Sequence, residues 1–442
     1  MHKKIISCLC ICALLFSLAG CRQTAFAETQ EDHHVTQSHS TEASVEAAST
    51  QPETEPTQGD TEPTEPTVEA IPANAWTPLC NEYIYLRSKP GGGEILSKIP
   101  LGEPLIFEKW SGKNALVSYQ DMQGYVTANY IKPADADYFT KRLNVIAPTC
   151  VYSYQQLMTD IAALQTHYPD WVHTDVMGKS ELGREIPVLI IGNPNSSRHV
   201  LMQGAMHGRE HFTAWLLMAI ADYALSQNHI SNEDICYHII PMVNPDGVTI
   251  SQSKQLNAAQ KAIYQSDIDL EYTTFTAATY AKKWKANALG VDLNRNFPSG
   301  WEVSKEHPFP SSERYRGSMP LSAAESAALA EYTLRHTFHA TVSFHSHGSV
   351  IYYRYGKKEP VNSLSYSFAL AIEQVTGYTP IQYDGTTGAG YKDWAMDALG
   401  IPSLTLEIGS SKTPLEERDM YNTFARFTNF IPAINQWFAD TF

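Results

Sequence analysis

His199-Val-Leu-Met-Gln-Gly-Ala-Met-His-Gly-Arg-Glu210 runs almost directly into Phe212-Thr-Ala-Trp-Leu-Leu-Met-Ala-Ile-Ala-Asp-Tyr-Ala-Leu225. The short apolar run at 199–203 has strand length, and the longer one at 212–225 has helix length. A strand, a turn holding His207 and Glu210, and a helix therefore follow one another. The alternation continues on both sides. Upstream, apolar residues at 157, 161 and 164 predict an amphipathic helix from Tyr154 to His167, and Pro187-Val-Leu-Ile-Ile-Gly192 predicts a strand. Downstream, Ile235 to Pro241 reads as a strand that ends in the turn Asn244-Pro-Asp-Gly247. Ser322 to His336 reads as a helix. Ala340-Thr-Val-Ser-Phe344, Val350-Ile-Tyr-Tyr353 and Ser403-Leu-Thr-Leu406 read as strands, and 363–376 and 420–437 as helices. Helix and strand alternate through 151–442, so the class is α/β, with one large sheet covered by helices on both faces.

Metal-ligand chemistry gathers at the ends of these strands. His207 and Glu210 stand three apart on one turn, and His345 follows the strand at 340–344. Imidazole nitrogen and carboxylate oxygen are ordinary zinc ligands, and a catalytic zinc takes three of them plus a water. Strand ends on one edge of an α/β sheet are where such sites form. His211 and His347 are rival ligands or structural histidines. Glu407 ends the apolar strand at 403–406, a costly place for a carboxylate without a task or a partner.

The chain has 442 residues, 43% apolar and 18% charged, with a net charge of −15. Those values exclude a collagen, a coiled-coil rod and a multi-pass membrane protein. The negative charge argues against nucleic acid as a partner. Met1-His-Lys-Lys4 followed by an apolar run to Ala19 reads as an export signal over residues 1–20. Leu18-Ala-Gly-Cys21 resembles the bacterial lipobox, which implies a lipid on Cys21 and a chain tethered to the outer face of the cytoplasmic membrane, towards the cell wall or extracellular space. The other reading is an ordinary signal cut after Ala25 or Ala27. Residues 21–75 form an acidic stalk rich in Thr, Glu and Pro, a composition that resists folding and stays extended. Cys80 and Cys150 are candidates for a disulfide. Residues 76–135 hold five short strand patterns between turns, which predicts a small barrel. Leu86-Arg-Ser-x-Pro90, Lys98-Ile-Pro100, Gly102, Gly124-Tyr-Val126 and Tyr130 resemble the bacterial SH3-like domain. That resemblance implies cell-wall binding; a spacer or docking role is the alternative.

The remainder, residues 150–442, resembles the zinc carboxypeptidase family. The shared motifs occur in family order: Gly178-Lys-Ser-x-x-Gly-Arg184, His207-x-Arg-Glu210, Asn244-Pro-Asp-Gly247, Gly290-Val-Asp-Leu-Asn-Arg-Asn-Phe297, His345-Ser346, Asp393-Trp394 and Thr405-Leu-Glu407. The resemblance implies a single large mixed sheet with helices on both faces, and one zinc on His207, Glu210 and His345. It implies that Asp292 orients a ligand histidine, that Glu407 is the general base and acid, and that Asn294 and Arg295 hold a substrate carboxylate. Arg209 matches a further substrate contact.

Three positions depart from the family pattern. Lys285 follows Trp284 where the family has the arginine that polarises the scissile carbonyl. By spacing from Glu407 the family's mobile tyrosine falls near Gly385; Tyr383 is the nearest phenol, with Tyr391 as the alternative. Lys392, before Asp393, would favour an acidic group on the substrate or else face solvent. Trp284-Lys-Ala-Asn287, Gly390-Tyr-Lys-Asp-Trp394 and the SH3-like module resemble bacterial enzymes that cut γ-D-glutamyl–diamino acid bonds in peptidoglycan stem peptides. The alternatives are an extracellular carboxypeptidase that trims C-terminal residues and an inactive wall-binding lipoprotein. The absence of an apolar stripe suggests a monomer.

Overall fold

The computed structural model describes residues 71–80, 82–230, 235–409 and 412–442. The export signal, Cys21 and the stalk as far as residue 70 lie outside them. Among the described residues no helix is long and apolar enough to cross a membrane.

The small N-terminal module has seven antiparallel strands, β1 (Ala75–Pro78), β2 (Tyr83–Lys89), β3 (Gly92–Pro100), β4 (Leu105–Ser111), β5 (Asn114–Tyr119), β6 (Met122–Thr127) and β7 (Ile131–Pro133). They lie in the order β3-β2-β6-β5-β4-β1-β7. The two strands beyond the five expected are β1 and β7, which pair with each other and are too short to show a period. Alternation in β5 buries Ala115, Val117 and Tyr119 and leaves their neighbours part-exposed.

The main sheet has eight strands. They are β8 (Val172–Lys179), β9 (Glu185–Ile191), β10 (His199–Gln203), β11 (Cys236–Ile240), β12 (Ala340–Ser346), β13 (Val350–Tyr352), β14 (Thr379–Ile381) and β15 (Ser403–Ile408), in the order β14-β13-β15-β12-β10-β11-β9-β8. The inner strands β11, β10, β12 and β15 run parallel and the flanks are mixed. These inner strands are almost wholly buried, as helices on both faces require. Strand alternation assigns the faces. Val342, Phe344, Leu404 and Leu406 point into the larger core, beneath the helices 212–226, 361–376, 417–427 and 430–441. Their neighbours Thr341, Ser343 and His345, with Thr405 and Glu407, point the other way. In the parallel β12–β15 register His345 stands opposite Glu407, so both side chains emerge side by side at one end of the sheet.

Three stretches differ from the expectation. Asn244-Pro-Asp-Gly247 is the start of a helix, 245–253, rather than a turn; Asn244 caps it and Pro245 takes the first position, where a missing N–H costs nothing. Residues 251–280, which carry no family pattern, hold helices at 258–269 and 277–282. Their signals are local: a capping box between Asn257 and Gln260, and a Thr276 cap. The helix expected over 420–437 is two helices, 417–427 and 430–441. Pro432 accounts for the break, because its ring excludes the carbonyl of Thr428 and it offers no N–H to a continuous helix. Cys80 and Cys150 are free thiols.

The module is fastened to the body by Arg426, which is buried. One nitrogen donates to the Gly112 carbonyl at 2.9 Å and the guanidinium lies 4.1 Å above the Trp110 ring. Asn129 adds a 2.6 Å bond to Asp419.

Candidate metal centre and active site

The turn after β10 is built by close backbone approach. A Cβ on Gly208 would lie 2.3 Å from the Gly247 carbonyl carbon and oxygen, so neither segment has room for a side chain. Asn244 ties the neighbourhood together. Its amide donates to the carbonyls of Met206 at 3.1 Å and Ala286 at 2.9 Å, and its oxygen accepts from Gly247 N–H at 2.8 Å. The carbonyl of Lys285 accepts from Gly208 N–H at 3.0 Å. Asp246 pairs with Arg184 and accepts from Leu182 N–H at 2.9 Å, which explains the Gly178–Arg184 motif as the brace of this turn. Gly208→Ala is expected to cost about 1–3 kcal/mol by overpacking. A thermal melt checks this, and an unchanged melting temperature would contradict the close approach.

His207, Glu210 and His345 are all buried and offer ligand atoms within 4.8 Å of one another. His207 Nδ1 lies 2.9 Å from Glu210 Oε1 and 3.1 Å from His345 Nδ1, and His345 Nδ1 lies 3.1 Å from Glu210 Oε2. The outer nitrogen of His207, Nε2, is 3.2 Å from Asp292 Oδ1. Asp292 is buried and also accepts from Arg314 N–H at 3.0 Å. Burial raises its carboxyl, but His207 and Lys285 more than offset this and hold it well below the usual carboxylate range. An ionised Asp292 fixes the proton of His207 on Nε2 and leaves a lone pair on Nδ1. Burial also raises Glu210, and the two imidazoles more than reverse it, so Glu210 too is a carboxylate. A lone pair facing a carboxylate oxygen at 2.9 Å repels unless a cation lies between them. Two imidazoles and a carboxylate suit zinc.

Glu407 stands beside this group. Burial pushes its carboxyl up to about 7 and the charge of Glu210 adds to the rise, while His345, Lys285 and Arg209 pull against it. Lys285 is half-buried and its ammonium acts on both Asp292 and Glu407. Residues 157–436 match the zinc carboxypeptidase family.

The chain belongs to the zinc carboxypeptidase family.

This metallopeptidase is 33% identical over 278 residues to gamma-D-glutamyl-L-diamino acid endopeptidase 1 of Lysinibacillus sphaericus, covering 60% of this chain and 67% of that protein. Metallocarboxypeptidase A of Trichophyton tonsurans is 28% identical over 286 residues, 58% of this chain and 61% of that one. Among solved structures, carboxypeptidase A of Helicoverpa armigera has the same fold, with a TM-score of 0.51 at 20% identity over 74% of this chain and 84% of that one. Zinc is the metal of the family, and the His207, Glu210 and His345 donor set fits it.

Asn294 lies 3.5 Å from His345 Nε2 and accepts from Tyr391 N–H at 3.1 Å. Arg295 donates from Nε to Glu306 at 3.0 Å; Asp292 and Glu306 outweigh burial and hold its guanidinium charged. Arg209 donates to the Lys283 carbonyl at 3.3 Å and pairs with Glu313 at 3.5 Å. It opens onto a cavity of about 240 Å³ that Lys283, His307 and Tyr272 also line. Tyr383 is 61% exposed on the loop before the helix 391–399, whereas Tyr391 is fully buried with its hydroxyl 3.1 Å from Thr333. Lys392 does not face solvent: it is buried, and its ammonium donates to Asp393 at 2.6 Å and to the Arg354 carbonyl at 2.7 Å. Its charge is thus answered within the protein.

Sequence reasoning missed Glu306, Lys283 and His307, which lie in no family motif. It also missed Lys113, in the turn between β4 and β5. The charges of Lys113 and Arg209 add to burial in lowering His347, two residues beyond His345. A second metal-compatible group, His199, Cys236 and His238, lies where the central strands β10 and β11 begin, at the opposite end of β10 from His207.

Proposed function

We propose that the chain hydrolyses the amide between a γ-D-glutamyl residue and a diamino acid in peptidoglycan stem peptides. We further propose that it does so outside the cytoplasmic membrane, tethered by a lipid on Cys21. The observation that carries this reading is the identity with an endopeptidase named for that bond. The N-terminal module supports it. Its tyrosines 83, 85, 125 and 130, with Arg87 and Lys89, line a groove suited to a polar polymer.

Bound zinc supplies Lewis acidity, which polarises an amide carbonyl and makes water more acidic. The chain does the rest. Glu407 accepts the proton of the attacking water and passes it to the leaving amine nitrogen. Lys285 places a cation where negative charge develops on the carbonyl oxygen. Arg295, held in place by Glu306, takes a substrate carboxylate near the scissile bond, with Asn294 beside it. Arg209 contacts the substrate on the entry path, and Tyr383 closes over it. Asp292 keeps His207 in the tautomer that binds metal.

Glu407 works as a base only when ionised. With its carboxyl near 7, kcat/KM should climb with pH up to about that value, tenfold per unit below it. An acid limb at the ordinary carboxylate value of about 4.3 would remove Glu407 from this role.

The likeness to a fungal metallocarboxypeptidase favours a second reading, removal of C-terminal residues from external peptides. Competition in one vessel separates the two. The γ-linked tripeptide L-Ala-γ-D-Glu-diaminopimelate should disappear well before its α-linked isomer. Faster loss of ordinary α-linked C-terminal residues would favour the carboxypeptidase.

A further inference from the structure

Three donors that peptide hydrolysis does not use meet where β10 and β11 begin. His199 and Cys236 are register partners in this parallel pair, and His238 lies two residues beyond Cys236. The period of two therefore turns all three side chains to one face of the sheet. The five residues of β10 span about 17 Å and separate this group from the turn that carries His207. The three ligand atoms lie within 4.8 Å of one another, as at the catalytic group. His199 Nδ1 and His238 Nε2 are 3.0 Å apart, against 3.1 Å for the catalytic pair of imidazoles. Two ring nitrogens at that separation need a proton or a cation between them.

The outer nitrogens are already engaged as in a metal site. His199 Nε2 lies 2.8 Å from the Ser196 carbonyl and His238 Nδ1 2.7 Å from the Tyr332 hydroxyl. Ligand imidazoles are oriented in this way, by an oxygen on the nitrogen that does not bind metal. Cys236 is a free, fully buried thiol whose sulfur lies within 4.8 Å of a ring nitrogen of each histidine. His199 is only part-buried and gives access from solvent.

We propose that His199, Cys236 and His238 form a second transition-metal site, structural rather than catalytic, for a divalent cation of the zinc class. Two imidazoles and a thiolate suit such an ion, with water in the fourth position. On binding, the Cys236 thiol releases its proton to solvent. The proton between the rings leaves His238 Nε2, and His238 takes up one proton on Nδ1, where the Tyr332 hydroxyl accepts the hydrogen bond. One proton is released per cation. One hydrogen bond between β10 and β11 is thereby replaced by three metal bonds that staple their first residues.

Cobalt(II) tests this, because a thiolate ligand gives it an intense near-ultraviolet charge-transfer band and the catalytic group contains no thiolate. The purified full-length chain, stripped of metal and reloaded with cobalt, should hold two equivalents and show the band. Cys236→Ser should lose the band and one equivalent while keeping peptidase activity within about twofold, and His199→Ala should lose the same equivalent. His345→Ala should keep the band. A single equivalent in the wild-type chain, or a band that survives Cys236→Ser, would overturn the proposal.

Discussion

Replacing Glu407 by glutamine should lower kcat/KM about 10³-fold, the middle of the range for a general acid–base. That is about 4 kcal/mol of transition-state stabilisation. Glutamine keeps the shape of the side chain but cannot accept or return a proton. The fold should survive, because Glu407 stands near the end of β15, where Leu404, Leu406 and Ile408 fill the core from the other face. Zinc should also remain, since its three proposed ligands are untouched. KM should change little, so the loss would appear in kcat. A variant that kept more than a tenth of wild-type activity would show that another group moves the proton.

His345→Ala should abolish activity for a different reason. His345 is one of only three side chains proposed to hold the catalytic zinc, and its partner atoms on His207 and Glu210 would be left facing each other. The variant should bind one zinc fewer than the wild type and fall to background turnover. Stability should follow the metal, because a ligand present at 1,000 times its dissociation constant adds about 4 kcal/mol to the folded state. A chelator should therefore lower the melting temperature of the wild type more than that of His345→Ala. Full zinc content and activity in the variant would move the centre elsewhere.

These two residues were legible in the sequence because each stands near the end of a plainly apolar strand. Period two along 340–346 and 403–408 places His345 and Glu407 on one face, and parallel register brings them level. His207 and Glu210 were legible from the turn between a strand pattern and a helix pattern. Other contacts were not, because they depend on the path of loops. Nothing in the spacing brings Glu306 to Arg295 or Lys113 towards His347. Lys392 was read as a cation for substrate or solvent, yet it is buried beside Asp393, because the helix at 391–399 turns that face inward. The helices at 258–269 and 277–282 were obscured by weak amphipathicity, although their caps were in view. Asn244 was recognised as part of a motif, but its task as the tie between Met206, Ala286 and Gly247 appears only when the three segments meet.

The most direct test of the central claim is mass spectrometry of the products formed from L-Ala-γ-D-Glu-diaminopimelate-D-Ala, with Glu407→Gln as control. Release of L-Ala-D-Glu and diaminopimelate-D-Ala by the wild type, and not by the control, is the predicted result. Loss of D-Ala alone, with the γ-D-glutamyl bond intact, would contradict it.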